Sequence, residues 1–143
     1  MDFRGLAYSF AFFSPKHLGT GQYYLMTIED KQDQPLSGAS TYRLTVPANA
    51  PVSQYWSATV YSRATHAFIR DMERGRSSQS PDLQKSPDGS VDLYFAPKPP
   101  AGKESNWVPT KADGQFEVLF RLYGPQKPFF DKLWKLPDIE KVQ

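Results

Sequence analysis

The chain has no cysteine, which excludes a disulfide scaffold, a thiolate zinc site, a cysteine nucleophile and a CxxC redox pair. It has only two histidines, His17 and His66, so a metal site would have to recruit carboxylates. No metal and no cofactor is expected. Charge of one sign is also missing. Seventeen Lys and Arg face fifteen Asp and Glu, a net of +2, which offers nucleic acid and anionic lipid no large field. Long hydrophobic runs are absent too: nothing approaches the roughly 18 apolar residues of a spanning helix, so no membrane insertion is expected. The apolar stretch 6–13 is short, carries Ser9, and is followed by Pro15 and Lys16 rather than a small-residue cleavage site. It reads as a strand and not a signal peptide. The lack of cysteine suits cytoplasm and periplasm alike, so the compartment stays open. GxxxxGK[ST], HExxH, GxSxG and EF-hand patterns do not occur. Gly19-Thr20-Gly21 precedes a strand pattern rather than a helix and reads as a turn.

What is present describes one globular domain. The chain has 143 residues, 39% hydrophobic and 22% charged, with a mean hydropathy of -0.58. That is too apolar for disorder and too polar for a membrane protein, hence a soluble domain. Aromatics reach 15%, and 13 prolines exceed the ordinary share of about 5%.

Short segments of period two run along the chain, separated by Pro, Gly, Asp and Ser. Strands are expected at 7–14, 22–29, 41–46, 55–61, 91–95 and 116–123. In 41–46 the residues Tyr42, Leu44 and Val46 alternate with Thr41, Arg43 and Thr45; in 55–61 Trp56, Ala58 and Val60 oppose Tyr55, Ser57, Thr59 and Tyr61. Phe116, Val118, Phe120 and Leu122 should face a core. Ser86-Pro87-Asp88-Gly89-Ser90 is a tight turn entering the strand at Val91. Residues 30–35 look like a hairpin loop, and 70–85 like a long aperiodic mobile or binding loop. The expected fold is all-β: an antiparallel jelly-roll-like sandwich over residues 21–143, with 1–20 as a lead-in strand segment and a short helical turn and tail at the C-terminus.

No set of residues qualifies as catalytic. Ser62 and His66 lack a third partner and an oxyanion hole. Asp71 and Glu73 sit in a polar stretch where both should ionise, and Glu104 beside Lys103 and near Trp107 is equally an ion pair. Arg63, Arg70, Arg74 and Arg76 with His66 could seat an anion, although Asp71 and Glu73 dilute the charge. In 98–109, prolines stiffen a loop in which Trp107 plugs one end of the sandwich and Asn106 satisfies turn amides, or whose rim binds a ligand. The candidate ligand-binding residues are therefore Arg63, His66, Arg70, Lys103, Glu104, Asn106 and Trp107, for a small molecule or a glycan.

The strings TYRLTVP (41–47), PVSQYWSATVY (51–61), DGSVDLYFAPKPPAGKESNWVPT (88–110) and FEVLFRLYGPQKPFFDKLWKLPDIEKV (116–142) resemble the bacterial domain-of-unknown-function family 1214. The resemblance implies a jelly-roll-like sandwich, often in exported proteins, with a companion family 1254 domain in front and no established activity. AYSFAFFSPKHLG resembles the segment that joins the two. No catalytic residue can be carried over. Ser62 stands where the family pattern suggests Asp.

In the tail, Phe129, Phe130, Leu133 and Trp134 fall at spacings that one helical turn places on a common face, with Leu136-Pro137 ending it and Ile139 in an extended segment. Each such side chain is worth about 1.5–3 kcal/mol when buried, so together they rival the net stability of a domain and the tail must dock. Docking on its own sandwich is preferred, and these residues also form a candidate interface for a homo-oligomer or a companion domain. The resulting expectation is a non-catalytic binding or assembly module. The alternative is a hydrolase-like or carbohydrate-active enzyme with its site between the 63–76 and 98–109 loops.

Overall fold

The computed structural model describes residues 9–10, 22–65 and 75–142. Among the described residues, nine strands form two sheets. Strands β1 (Ser9–Phe10), β2 (Gln22–Thr27), β8 (Phe116–Pro125), β4 (Val52–Ser62) and β5 (Arg76–Ser77) make a five-stranded sheet in that spatial order. Strands β7 (Trp107–Pro109), β6 (Val91–Ala96), β3 (Tyr42–Val46) and β9 (Glu140–Lys141) make the second. The result is an all-β sandwich. No helix among the described residues is long and apolar enough to cross a membrane.

Alternation places the core. Tyr42, Leu44 and Val46 of β3 lie opposite Phe95, Leu93 and Val91 of β6, and all six are buried. In the other sheet Trp56, Ala58 and Val60 of β4 lie opposite Leu122, Phe120 and Val118 of β8. The small Ala58 leaves room for the ring of Phe120, the volume complementarity that a close-packed interior needs. Phe116 joins the layers, its ring 5.5 Å from Tyr42 and 6.2 Å from Phe95. These contacts are long-range in sequence, so the period-two pattern names the inward faces while the sheets decide which faces meet.

The turn before β6 forms as its residues dictate. Gly89 takes φ 87°, its N–H donates to Ser86 O, and the Asp88 carboxylate accepts from the Ser90 N–H and hydroxyl.

Four expectations need correction. Residues 30–35 close on themselves through the Glu29–Pro35 bridge and the Asp30 carboxylate, which accepts the Gln32 and Gln34 amides. They do not join β2 and β3 as a hairpin, because those strands belong to different sheets. The 70–85 stretch is not wholly without structure: Arg76–Ser77 adds β5 to the edge of β4. The sandwich is not purely antiparallel, since β7 runs parallel to β6; the 98–106 loop carries the chain back before it pairs. The C-terminal helix α1 is confined to Lys127–Phe130, and Lys132 at φ 59° turns the chain before Leu133. Leu133 and Trp134 consequently do not share a helical face: Leu133 is 78% exposed and Trp134 is 9% exposed. Of the strand expected at 7–14, Ser9–Phe10 is seen paired with β2, and its remainder lies outside the described residues, as does the turn at 19–21.

Candidate functional site

The 98–109 loop is built around its glycine and asparagine. Gly102 at φ 75° lets the chain fold back, with the Lys103 N–H donating to Pro100 O, and the one-turn 3-10 helix Glu104–Asn106 follows. Asn106 is buried. Its Oδ1 accepts the Gln84 N–H at 2.8 Å, and its Nδ2 donates to Gln84 O at 2.8 Å and to Asp92 O at 3.0 Å. The carboxamide thereby mimics a strand partner and ties the segment before β6 to the loop after it. Both amide hydrogens are engaged in the fold.

Arg76 enters the same region from the other sheet. It pairs with Ala58, whose side chain is in the core, so Arg76 points between the sheets at their open side. Its Nη2 donates to Glu104 O at 3.4 Å, and its Nη1 lies 4.0 Å from the Asp82 carboxylate. Arg76, at the end of the 63–76 stretch, is thereby bonded to the 98–109 loop.

Arg63 goes elsewhere. It lies just past β4, where its N–H donates to Gln115 O and its guanidinium stands 3.6 Å from the buried Glu117. Five positions along an extended chain from Ala58 is about 17 Å, so Arg63 leaves β4 well away from the point where Arg76 pairs with it. His66 and Arg70 lie outside the described residues, and so do Asp71, Glu73 and Arg74. Glu104 is exposed and accepts the Gly102 N–H at 3.3 Å. Among the described residues no three His, Asp or Glu side chains converge as metal ligands would.

Lys103 and Trp107 come together with residues that the site expectation did not include. Phe95 and Val108 face the core, so their neighbours Tyr94 and Trp107, paired across β6 and β7, face outward. Trp107 Nε1 donates to Ala96 O at 2.9 Å, and the Lys103 ammonium sits 5.9 Å from the centre of the Tyr94 ring. Arg43 follows Tyr94 in the same row, with Glu140 beyond it. The Arg43 Nε donates to Glu140 at 2.9 Å, which holds the Glu140 carboxyl below its usual range and raises the guanidinium further.

The outer face of the five-stranded sheet carries a second such arrangement. Arg121 lies over the rings of Tyr24 and Tyr61, 5.5 and 5.8 Å from their centres, and donates to the Tyr61 hydroxyl at 2.5 Å. Tyr55 stacks on Tyr123 at 4.2 Å, and lost hydration together with that neighbour raises the Tyr55 phenol above its ordinary value. The signal for these residues was the outward set of each period-two segment, rich in tyrosine. An open cavity of about 200 Å³ lies at one end of the sandwich, lined by Val46, Ala50, Val52, Trp56 and Leu83 with Lys85 at its charged side. None of the described candidate ligand-binding residues lines it.

The tail docks on its own sandwich. Trp134 and Ile139 belong to the core cluster, with Phe129 and Leu136 packed against it, and β9 pairs with β3. Of the four candidate interface residues, Phe130 and Leu133 remain exposed. Phe129 and Phe130 contact Tyr23 edge-on, with centroids 4.8 and 6.0 Å away.

A family model described as a protein of unknown function, DUF1214, matches residues 21–127. No curated protein matches. Among solved structures, VPA0106 of Vibrio parahaemolyticus is similar with a TM-score of 0.73 and 22% identity, over 85% of this chain and 31% of its own. An uncharacterized protein from Burkholderia cenocepacia is similar with a TM-score of 0.52 and 19% identity, over 91% of this chain and 34% of its own. The chain thus spans about a third of the length of the structures it resembles, and at these identities the likeness is one of fold.

Proposed function

The chain belongs to the DUF1214 family of proteins of unknown function, and from that premise we propose that it is a non-catalytic binding and assembly module whose contact patch lies on its C-terminal turn. One observation carries this reading. After the tail has buried Trp134 and Ile139 in its own core, Leu133 stays 78% exposed beside Phe130 at 37%. Exposed apolar side chains close together on one turn, with Phe130 seated edge-on against Tyr23 and Phe129, mark protein contacts more than they mark catalytic clefts. The dispersal of Arg63 and Glu104 supports the same reading, because a hydrolase-like site between the two loops would need them in one pocket. The occupant is a second copy of the chain or a companion domain of the kind the longer structures have room for.

Light scattering over a rising concentration series tests the reading. Self-association that Leu133→Glu and Phe130→Glu abolish, with the melting temperature kept, is the expected result. If the chain stays monomeric throughout and shows no association with the remaining part of a longer family member supplied separately, the assembly reading is refuted.

A further inference from the structure

We propose that the open cavity at the end of the sandwich binds a small aromatic monocarboxylate, with the ring among Val46, Val52, Trp56 and Val91 and the carboxylate at Lys85. The inference does not rest on the assembly reading, because none of Tyr23, Phe129, Phe130 and Leu133 lines the cavity.

The cavity forms where the chain passes from one sheet to the other. Val46 ends β3 and lies opposite Val91, the first residue of β6, while Val52 opens β4 in the other sheet and Trp56 follows along it. Side chains of both layers therefore surround one space. It measures about 200 Å³, and since an apolar cavity of about 150 Å³ already holds benzene, one six-membered ring with a short acid arm fits. The walls are set before any ligand arrives. Trp56 stacks on Phe120 at 5.4 Å, its N–H donates to the Ser78 hydroxyl at 3.2 Å, and Leu83 packs against the core. Little ordering cost remains to be met on binding.

The charge at the rim selects among apolar ligands. Among the described residues that line the cavity, Lys85 alone is charged, and its ammonium has no ion pair there. Its backbone is pinned on both sides: Gln84 is bonded to Asn106 through its N–H and its C=O, and the Ser86 N–H donates to Ser90 O. Two carboxylates lie close in sequence. Asp82 faces the Arg76 guanidinium at 4.0 Å, and Asp88 accepts the Ser90 N–H and hydroxyl, which hold its carboxyl below the usual range. Neither lines the cavity. Lys85 is exposed, so a carboxylate beside it stays in contact with water while the ring enters the apolar part, and no desolvated charge results. A single ammonium matches a singly charged carboxylate better than a phosphate dianion, which takes several donors.

Isothermal calorimetry and tryptophan emission test the proposal on the full chain with benzoate and phenylacetate. Benzamide and phenylacetamide keep the shape without the charge, acetate and inorganic phosphate keep charge without the ring, and benzylamine reverses the sign. The expected result is saturable binding of at least one aromatic acid, tighter than its amide and tighter than acetate or phosphate. Lys85→Gln should weaken it about two- to fivefold, the range an exposed ion pair supports, and Lys85→Glu should weaken it further and favour benzylamine. Ala50→Leu, which fills the cavity from its wall, should weaken acid and amide alike. Circular dichroism and the melting temperature check that each variant folds; should Ala50→Leu fail to fold, the two Lys85 variants carry the test. Absence of saturable binding by either acid, equal affinity for acid and amide, phosphate binding as tight as the acids, or affinity untouched by the folded Lys85 variants would overturn the proposal.

Discussion

The indole of Trp134 stacks on Phe120, with ring centroids 6.3 Å apart and planes inclined at 26°. Phe120 stacks in turn on Trp56 at 5.4 Å. A residue of the C-terminal tail therefore extends an aromatic stack that begins on β4 and crosses β8, and the last part of the chain is a member of the core. Ile139, with no exposed surface, and β9 on the free edge of β3 complete that attachment.

Trp134→Ala should destabilise the fold by about 3 kcal/mol or more, the usual cost of deleting a large buried aromatic. Its Nε1 finds no acceptor among the described residues, so Trp134→Phe keeps a stacking ring, removes an unmet donor, and should cost less than about 1.5 kcal/mol. Urea denaturation compares the two. Equal losses would show that the stack does not carry the effect.

Truncation after Tyr123 should yield an unfolded or aggregated product, because it strips Trp134 and Ile139 from the core and leaves β3 as an open edge. Thermal melting followed by circular dichroism decides this. A soluble monomer that melts cooperatively would contradict self-docking.

Asn106→Ala should cost about 2–3 kcal/mol. It removes three hydrogen bonds, to the Gln84 amide and to the Gln84 and Asp92 carbonyls, each worth about 0.5–1.5 kcal/mol, and water reaches the exposed Gln84 to replace part of the loss. Chemical denaturation gives the magnitude. Proteolysis near Gln84 should speed up in the variant, since that segment loses its tether.

Gly38→Ala should be more damaging than its size suggests. A Cβ at Gly38 would lie 1.8 Å from the Lys111 carbonyl oxygen and 2.6 Å from its carbon, which is backbone and cannot rotate away. The chain is also fixed there by the Gly38 N–H donating to Gly114 O and by the Thr110 hydroxyl donating to Gly38 O. A loss of about 2–3 kcal/mol, at the upper end for overpacking, is expected in denaturant titration.

The Arg43–Glu140 pair should give the attachment of β9 an acid limit. Glu140 is lowered from 4.5, so its contribution is complete above the unfolded value and is lost as pH falls from about 4.5 through the lower folded value. Arg43 is raised and stays charged throughout. Both side chains are about a third exposed, so solvent screening keeps the effect near 0.5 kcal/mol. Glu140→Gln should lower the melting temperature slightly at pH 7 and by less near pH 3. An equal gap at both pH values would rule the ion pair out as its source.

The strands and their inward faces were legible because a half-buried strand writes its environment in every second residue. Tyr42, Leu44 and Val46 could be assigned to a core without knowing what lay opposite them. The turn at Gly89 was legible for a similar reason: its chemistry is contained within five consecutive residues. Partnership was not legible. The sequence does not say that β2 and β3 part into different sheets, that β7 pairs parallel to β6, or that Arg76 rather than Arg63 reaches the 98–109 loop. Each of these depends on contacts between residues far apart in the chain. Asn106 shows the division most clearly. That a buried asparagine in a proline-rich loop would bond to backbone amides follows from the residue itself, whereas its partners Gln84 and Asp92 are set by the stacking of the two sheets. Leu133 and Trp134 show it again: neighbours of similar hydrophobicity are indistinguishable as letters, and only the positive φ at Lys132 sends one into the core and the other into solvent.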